Sequence, residues 1–223
     1  MTVFFPVFKD ESLLIRALTH RSALNEGVSL SKKSNERLEF LGDAVLELAT
    51  TKFLFSQLPL EPEGVLTAYR SALVKTGTLA AVARTLGIGQ KILMSKGEES
   101  TGGRDNESLL ADTMEAVIGG LYLDQDFEAV EAFLEKVLFP LYNEIKEQKL
   151  YQDAKSVLQE TVQAQGLATP AYEVISEDGP DHDKEFTVQV LVNKKIAGKG
   201  QGKSKQQAQQ AAARQALEKI LKE

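Results

Sequence analysis

The chain has 223 residues and a formal net charge of -6. That length allows one sizeable core, or a larger and a smaller one, and the net charge argues against a simple basic nucleic-acid binder. The absence of cysteine excludes a disulfide framework and a thiolate zinc site, and it suits a reducing, cytoplasmic setting.

Met1 to Asp10 have no basic region leading into an apolar run, so no secretory signal is expected. No segment approaches the roughly 18 apolar residues of a membrane span, so no membrane partner is expected. Residues 1–146 hold 21 acids against 15 Lys or Arg, whereas residues 194–223 hold 2 acids against 8. The chain is acidic with a basic end. Taken alone, such an end is what a solvated basic helix looks like.

Through about Lys146 the apolar residues recur at spacings of three and four, which predicts helices. The runs are Ser12–Thr19, a stretch carrying Leu38, Leu41, Val45 and Leu48, then Gly64–Leu73, Thr78–Leu86, Ser108–Leu123 and Phe127–Ile145. Pro59, Pro62, Gly87, Gly89, Gly97 and the pair Gly102-Gly103 punctuate them. Residues 147–153 are polar and read as a linker. Asp153 suits the N-cap of a helix reaching about Gln165, which Gly166 and Pro170 end. Ala171–Ser176 predicts a first strand. Phe186, Val188, Val190 and Val192 alternate with Thr187, Gln189 and Leu191 in a second, and Lys195–Gly200 gives a third. Ser204-Lys205-Gln206-Gln207 reads as a capping box. The helix it opens carries Ala208, Ala211, Ala212 and Ala216, small enough to pack closely on a sheet. The expected fold is α+β and multidomain: an all-α domain over 1–146, the linker 147–153, and an α-β-β-β-α domain over 154–223.

Glu36, Glu39 and Asp43 share one helix. At about 100° per residue they lie within about 60° of one another, with Leu38, Leu41, Val45 and Leu48 on the other side. A second pair, Asp112 and Glu115, interrupts the apolar run from Leu109 to Gly120, where acids are costly to bury unless paired or metal-bound. Convergence of the two helices would gather four or five carboxylates. Hard oxygen ligands select magnesium, calcium or manganese, and such a site fits phosphodiester hydrolysis assisted by a cation. The spacing of Glu36, Glu39 and Asp43 alone is that of a solvated acidic face with Lys or Arg partners, and the second pair is what points to a cation.

The stretch Asn35-Glu36-Arg37-Leu38-Glu39-Phe40-Leu41-Gly42-Asp43 resembles the signature of bacterial ribonuclease III. The resemblance includes Ala17-Leu18-Thr19-His20-Arg21-Ser22, Glu63-Gly64 through Arg70, Ser108 to Gly119, and Tyr122-Leu123-Asp124. It covers nearly the whole chain in the family's order. It implies an endonuclease of double-stranded RNA that uses Mg2+, with Mn2+ as a substitute and no small-molecule cofactor. Glu39, Asp43, Asp112 and Glu115 would be the metal ligands, Asp43 and Glu115 the most critical for hydrolysis. Glu36 would support the site, and Glu63 would help place substrate. Phe40 would be an aromatic knob at a homodimer contact, where core packing is the plain alternative. His20 falls in a segment that is structural in the family. Products would carry 5′-phosphate and 3′-hydroxyl ends with short 3′ overhangs, and ribosomal-RNA precursors and other transcripts would be substrates.

The C-terminal pattern resembles the double-stranded-RNA-binding domain. That implies three contact patches. Ser156, Gln159, Glu160 and Gln163 on the first helix suit 2′-hydroxyls in the shallow minor groove. His182, after Gly179-Pro180-Asp181, would reach the next minor groove. Lys203, Ser204 and Lys205 at a helix N-terminus would hold phosphates. Gln206, Gln207 and Gln209 stand where the family commonly has bases, which predicts weaker phosphate attraction. The main rival reading is a non-catalytic double-stranded-RNA-binding regulator. A metal-binding structural dimer fused to an unrelated small domain is a second.

Overall fold

The computed structural model describes residues 5–27, 31–147, 150–151, 153–180 and 184–220. The chain divides into two compact units, Met1–Tyr151 and Gln152–Glu223. Among the described residues no helix is long and apolar enough to cross a membrane.

The first unit is helical, as its three-and-four spacing predicts: α1 (Glu11–Ala17), α2 (Ser22–Glu26), α3 (Glu36–Gln57), α4 (Glu63–Val74), α5 (Thr76–Thr85), α6 (Ile88–Lys91), α7 (Lys96–Ser100), α8 (Glu107–Asp124), α9 (Phe127–Val137) and α10 (Leu141–Glu147). The central helix is α8. Asn106 starts it by accepting the Leu109 N–H at 3.1 Å. From Leu110 to Leu121 nearly every α8 residue is buried, the exceptions being Asp112 and Glu115. A helix that is apolar nearly all round belongs in the middle of a core, and here α3, α5 and α1 pack around it.

The crossing of α3 and α8 depends on two glycines. A Cβ added to Gly42 would run into the Glu115 carbonyl and sit 2.9 Å from the Gly119 nitrogen. A Cβ added to Gly119 would meet the Leu38 carbonyl and sit 2.9 Å from the Gly42 nitrogen. The Glu115 carbonyl takes the space left at Gly42, and the Leu38 carbonyl takes that left at Gly119, so the two backbones touch. Both sites are helical, and the requirement is for space, not for an unusual φ.

Two expectations need correction. The run Phe127–Ile145 is two helices, because α9 stops at Val137 and α10 begins at Leu141. Pro140 lies between them, and it lacks an N–H and disfavours helical backbone before it. Leu48 was expected on the buried face of α3 but is 58% exposed, while Leu38 and Val45 are buried. The core-facing stripe instead runs through Leu38, Gly42, Val45, Leu46, Ala49 and Leu54.

In the segment between the two patterns, Tyr151 stacks on Tyr69 at 3.9 Å between ring centroids. Leu150 donates its N–H to the Ile145 carbonyl at 2.9 Å. The packing of the first unit therefore continues through Tyr151.

The second unit has α11 (Ala154–Ala164), three antiparallel strands in the order β1 (Ala171–Asp178), β2 (Glu185–Val192), β3 (Lys195–Gly202), and α12 (Lys205–Ile220). The β2–β3 turn is two residues, Asn193 and Lys194, both at positive φ, the geometry that matches strand twist. Gly198, Gly200 and Gly202 form a smooth stripe on β3, and Ala208, Ala212 and Ala216 of α12 are fully buried. A Cβ on Gly198 would approach the Ala216 nitrogen to 2.8 Å, and one on Gly200 the Ala208 carbonyl to 2.6 Å. The alanines do seat the helix on the sheet, but the strand glycines make that approach possible.

Gly119→Ala is expected to destabilise the first unit by about 3 kcal/mol or more, the upper end for overpacking, because backbone must move. The second unit should unfold as before. Two thermal transitions followed by calorimetry, with only one displaced, would show this; an unchanged scan would contradict the glycine crossing.

Candidate functional site

The α3–α8 crossing brings the two sequence-distant acidic sets together. Glu39, Asp112 and Glu115 each offer a carboxylate oxygen, and these atoms lie within 4.8 Å of one another. All three side chains are half-buried. Asp43, one turn beyond Glu39, is exposed and outside that trio, but its charge acts on both Glu39 and Glu115.

Crowding acids in partial burial leaves them reluctant to ionise. Glu115 is pushed up to about 8, by burial first and then by the charges of Asp43, Asp112 and Glu39. Glu39 is raised by burial, then by Asp112, Glu36 and Asp43. Asp112 is raised by burial, which the charge of His20 opposes. Such a set demands either protons or a cation. Its donors are all carboxylate oxygens, the chemistry that hard divalent ions take, and their spacing lets one ion reach the trio. The acidic cluster is thus one that could bind a metal.

The other expected residues of this unit lie around it. Glu36 is exposed, accepts the Ser34 hydroxyl at 2.8 Å and faces Arg21 at 3.7 Å. Its charge reaches Glu39. Glu63 opens α4, is exposed, and accepts the Thr67 hydroxyl at 2.9 Å; it is not in the carboxylate trio. Phe40 is 83% exposed, so core packing within this chain does not account for it. His20 Nδ1 is 2.8 Å from the Ser22 hydroxyl and accepts the Ser22 N–H at 3.3 Å, while that hydroxyl accepts the Ser95 N–H. One ring nitrogen is therefore committed to the fold.

In the second unit, Ser156, Gln159, Glu160 and Gln163 are all exposed on α11, opposite the buried Ala154, Leu158 and Val162. Asp153 caps this helix through the Ser156 N–H at 3.0 Å. Lys203, Ser204 and Lys205 gather where β3 gives way to α12. The Ser204 hydroxyl accepts the Gln207 N–H at 3.2 Å. The Gln207 side chain returns to the Lys203 N–H at 3.1 Å, one residue before the position a capping box uses. His182 lies outside the described residues.

Gln209, one of the glutamines that stand in place of bases, and its neighbour Gln210 have structural tasks. Gln209 accepts from Lys155 Nζ at 2.7 Å, and Gln210 accepts the Ala154 N–H at 2.9 Å. They fasten α11 to α12. The sequence did not reveal this, because their partners lie more than 50 residues away.

A family model described as "Ribonuclease-III-like" matches residues 10–142, and one described as "Double-stranded RNA binding motif" matches residues 154–220. The Bacillus cereus protein named Ribonuclease 3 is 46% identical over 213 residues, covering 96% of this chain and 86% of the relative. The chain belongs to the ribonuclease III family. It is an endoribonuclease. The nuclease domain of the Campylobacter jejuni ribonuclease III has been solved in a study of flexibility in the region involved in its dimer formation. That structure is 43% identical, covers 59% of this chain and 87% of its own, and superposes with a TM-score of 0.54. A Dicer from Pichia stipitis is 28% identical, with 96% of each chain covered and a TM-score of 0.50.

The folded, cation-free chain holds a proton at Glu115 that the unfolded chain loses above the ordinary value of 4.5. The folded state then binds more protons than the unfolded one between about 4.5 and about 8, so stability falls as pH rises through that window. The melting temperature of chelator-treated protein should drop from about pH 5 to about pH 8, and a divalent cation should restore more at the higher pH. A flat profile with no cation dependence would contradict the cluster's electrostatics.

Proposed function

We propose that this chain cuts double-stranded RNA by divalent-metal-dependent hydrolysis, with Glu39, Asp43, Asp112 and Glu115 as the cation's ligands. The carrying observation is the trio of Glu39, Asp112 and Glu115 oxygens within 4.8 Å, in a chain whose second unit matches a double-stranded-RNA-binding motif. Magnesium is the proposed ion, with manganese as a substitute, since both accept oxygen ligands. A bound cation supplies Lewis acidity and neutralises charge at the phosphodiester.

The residues divide the work. Asp43 and Glu115 are the most critical: Glu115 is pushed up to about 8 at the centre of the cluster, and Asp43 is the exposed acid beside it, open to a substrate. Glu36 adds negative charge at the rim, and Glu63 helps place the RNA. Ser156, Gln159, Glu160, Gln163 and His182 read the shallow minor groove and its 2′-hydroxyls, by shape more than sequence. Lys203, Ser204 and Lys205 hold phosphates between the grooves.

The proposed working form is a homodimer. Phe40, Leu48 and Phe55 are 83%, 58% and 72% exposed. At about 100° per residue they fall within about 80° on one side of α3. An apolar stripe of this kind calls for a partner, and a second copy offers the same stripe. Each subunit would cut one strand, leaving 5′-phosphate and 3′-hydroxyl ends with short 3′ overhangs. The proposed setting is the cytoplasm, with ribosomal-RNA precursors and other transcripts as substrates. The division into 1–146 and 154–223 assigns catalysis to the first part and RNA affinity to the second; of the segment 147–153 between them, Leu150 and Tyr151 pack with the first.

Glu115→Gln should keep duplex-RNA binding while cleavage falls by more than about 100-fold, beyond the cost of losing an outer partner of a metal ligand. A gel assay with magnesium, paired with binding measured in chelator, separates the two. Normal cleavage by this variant would overturn the site. Binding without cleavage by the unmodified chain, across metals and pH, would favour the regulator.

A further inference from the structure

Lys205 is the only cation in the first two turns of α12, since Gln206, Gln207, Gln209 and Gln210 follow it and the next base is Arg214. It is not left to solvent. Its Nζ lies 2.6 Å from Glu177 Oε1, with the side chains 56% and 38% exposed, and 5.5 Å from the centroid of the Phe186 ring. Strand register brings these groups together. Glu177 of β1 pairs with Phe186 of β2, and Phe186 pairs with Gly202 of β3. The three lie in one line across the sheet, and α12 starts three residues beyond its end. Glu177 is therefore held beside Lys205 by the sheet, not by chance meeting of two long side chains.

A carboxylate oxygen at 2.6 Å takes one of the three ammonium N–H donors and partly neutralises the charge that a phosphate oxygen needs. We propose that Glu177 is an affinity-setting residue of the RNA-binding unit: its carboxylate occupies Lys205 in place of a phosphate and is displaced when duplex RNA binds. This rests on the proposed reading of Lys205 as a phosphate contact. With glutamines following Lys205, the acid acts on the one cation in the first two turns of α12. The pair is partly exposed, so its strength is modest, and so is the brake. Glu177 also stays near the displaced position and repels the phosphate that replaces it.

The test is duplex-RNA binding by the full chain in chelator, followed by fluorescence anisotropy across a salt series. Four proteins are compared: unmodified, Glu177→Gln, Lys205→Ala, and the double variant. Glu177→Gln is expected to tighten binding about 2- to 5-fold, the span of an exposed ion pair. Lys205→Ala should weaken binding and reduce the log–log salt slope by roughly 1. In the Lys205→Ala background, Glu177→Gln should give no gain. A gain that persists there is a general charge effect and overturns the proposal, as does no tightening in the unmodified background. An unchanged slope for Lys205→Ala overturns the phosphate contact itself, and the role of Glu177 with it.

Discussion

The backbone contact between Gly42 of α3 and Gly119 of α8 is the constraint on which the first unit depends. Helices separated by ordinary side chains lie about 8–10 Å apart, and a Cβ at either glycine would collide with the opposite backbone. Without those side chains the helices close until Glu39 on one side meets Asp112 and Glu115 on the other, with Asp43 exposed one turn beyond Glu39. Gly42 sits within a turn of Glu39 and Asp43, and Gly119 lies about one turn beyond Glu115, so the contact bears directly on the acids' separation. A helix glycine costs about 1 kcal/mol against alanine, and two in the central pair are explained by what their absence of side chain permits.

That closeness has an electrostatic cost that the rest of the unit sustains. Burial raises Glu39, Asp112 and Glu115, and their mutual charge raises Glu39 and Glu115 further. The surrounding core, with Leu110, Met114, Ile118 and Leu38 essentially fully buried, contributes the packing that offsets it. The same geometry that destabilises the ionised acids favours a divalent cation, because the ion removes the repulsion that the fold imposes. Fold stability and cation binding are thereby linked through one helix crossing. In the second unit the same device recurs in another form, with β3 glycines against α12 alanines holding the helix whose first residues carry the proposed phosphate contacts.

Much of this was legible in the residues. The acid face of α3 that carries Glu39, and the intrusion of Asp112 and Glu115 into an apolar run, marked both halves of the carboxylate trio. The alternation of Phe186 to Val192 marked the central strand. What escaped was long-range. Gly42 and Gly119 read as ordinary small residues until each is seen against the other. Leu48 has the spacing of a core residue, yet it faces outward, because Gly42 and Leu46 shift the buried stripe around α3. The break inside Phe127–Ile145 is the local exception, since Pro140 signals it within the run itself. Glu177 gave no sign of meeting Lys205, since only the strand register joins them. The short helices α2, α6 and α7 carry too few residues to show a period.

The most direct test of the account is calorimetric titration of the chain with Mn2+ at neutral pH, repeated in buffers of different ionisation enthalpy. If the crossing holds a proton-bearing carboxylate cluster ready for a cation, binding releases protons, and Glu115→Gln loses both that release and most of the affinity. Binding that moves no protons and survives Glu115→Gln unchanged would contradict it.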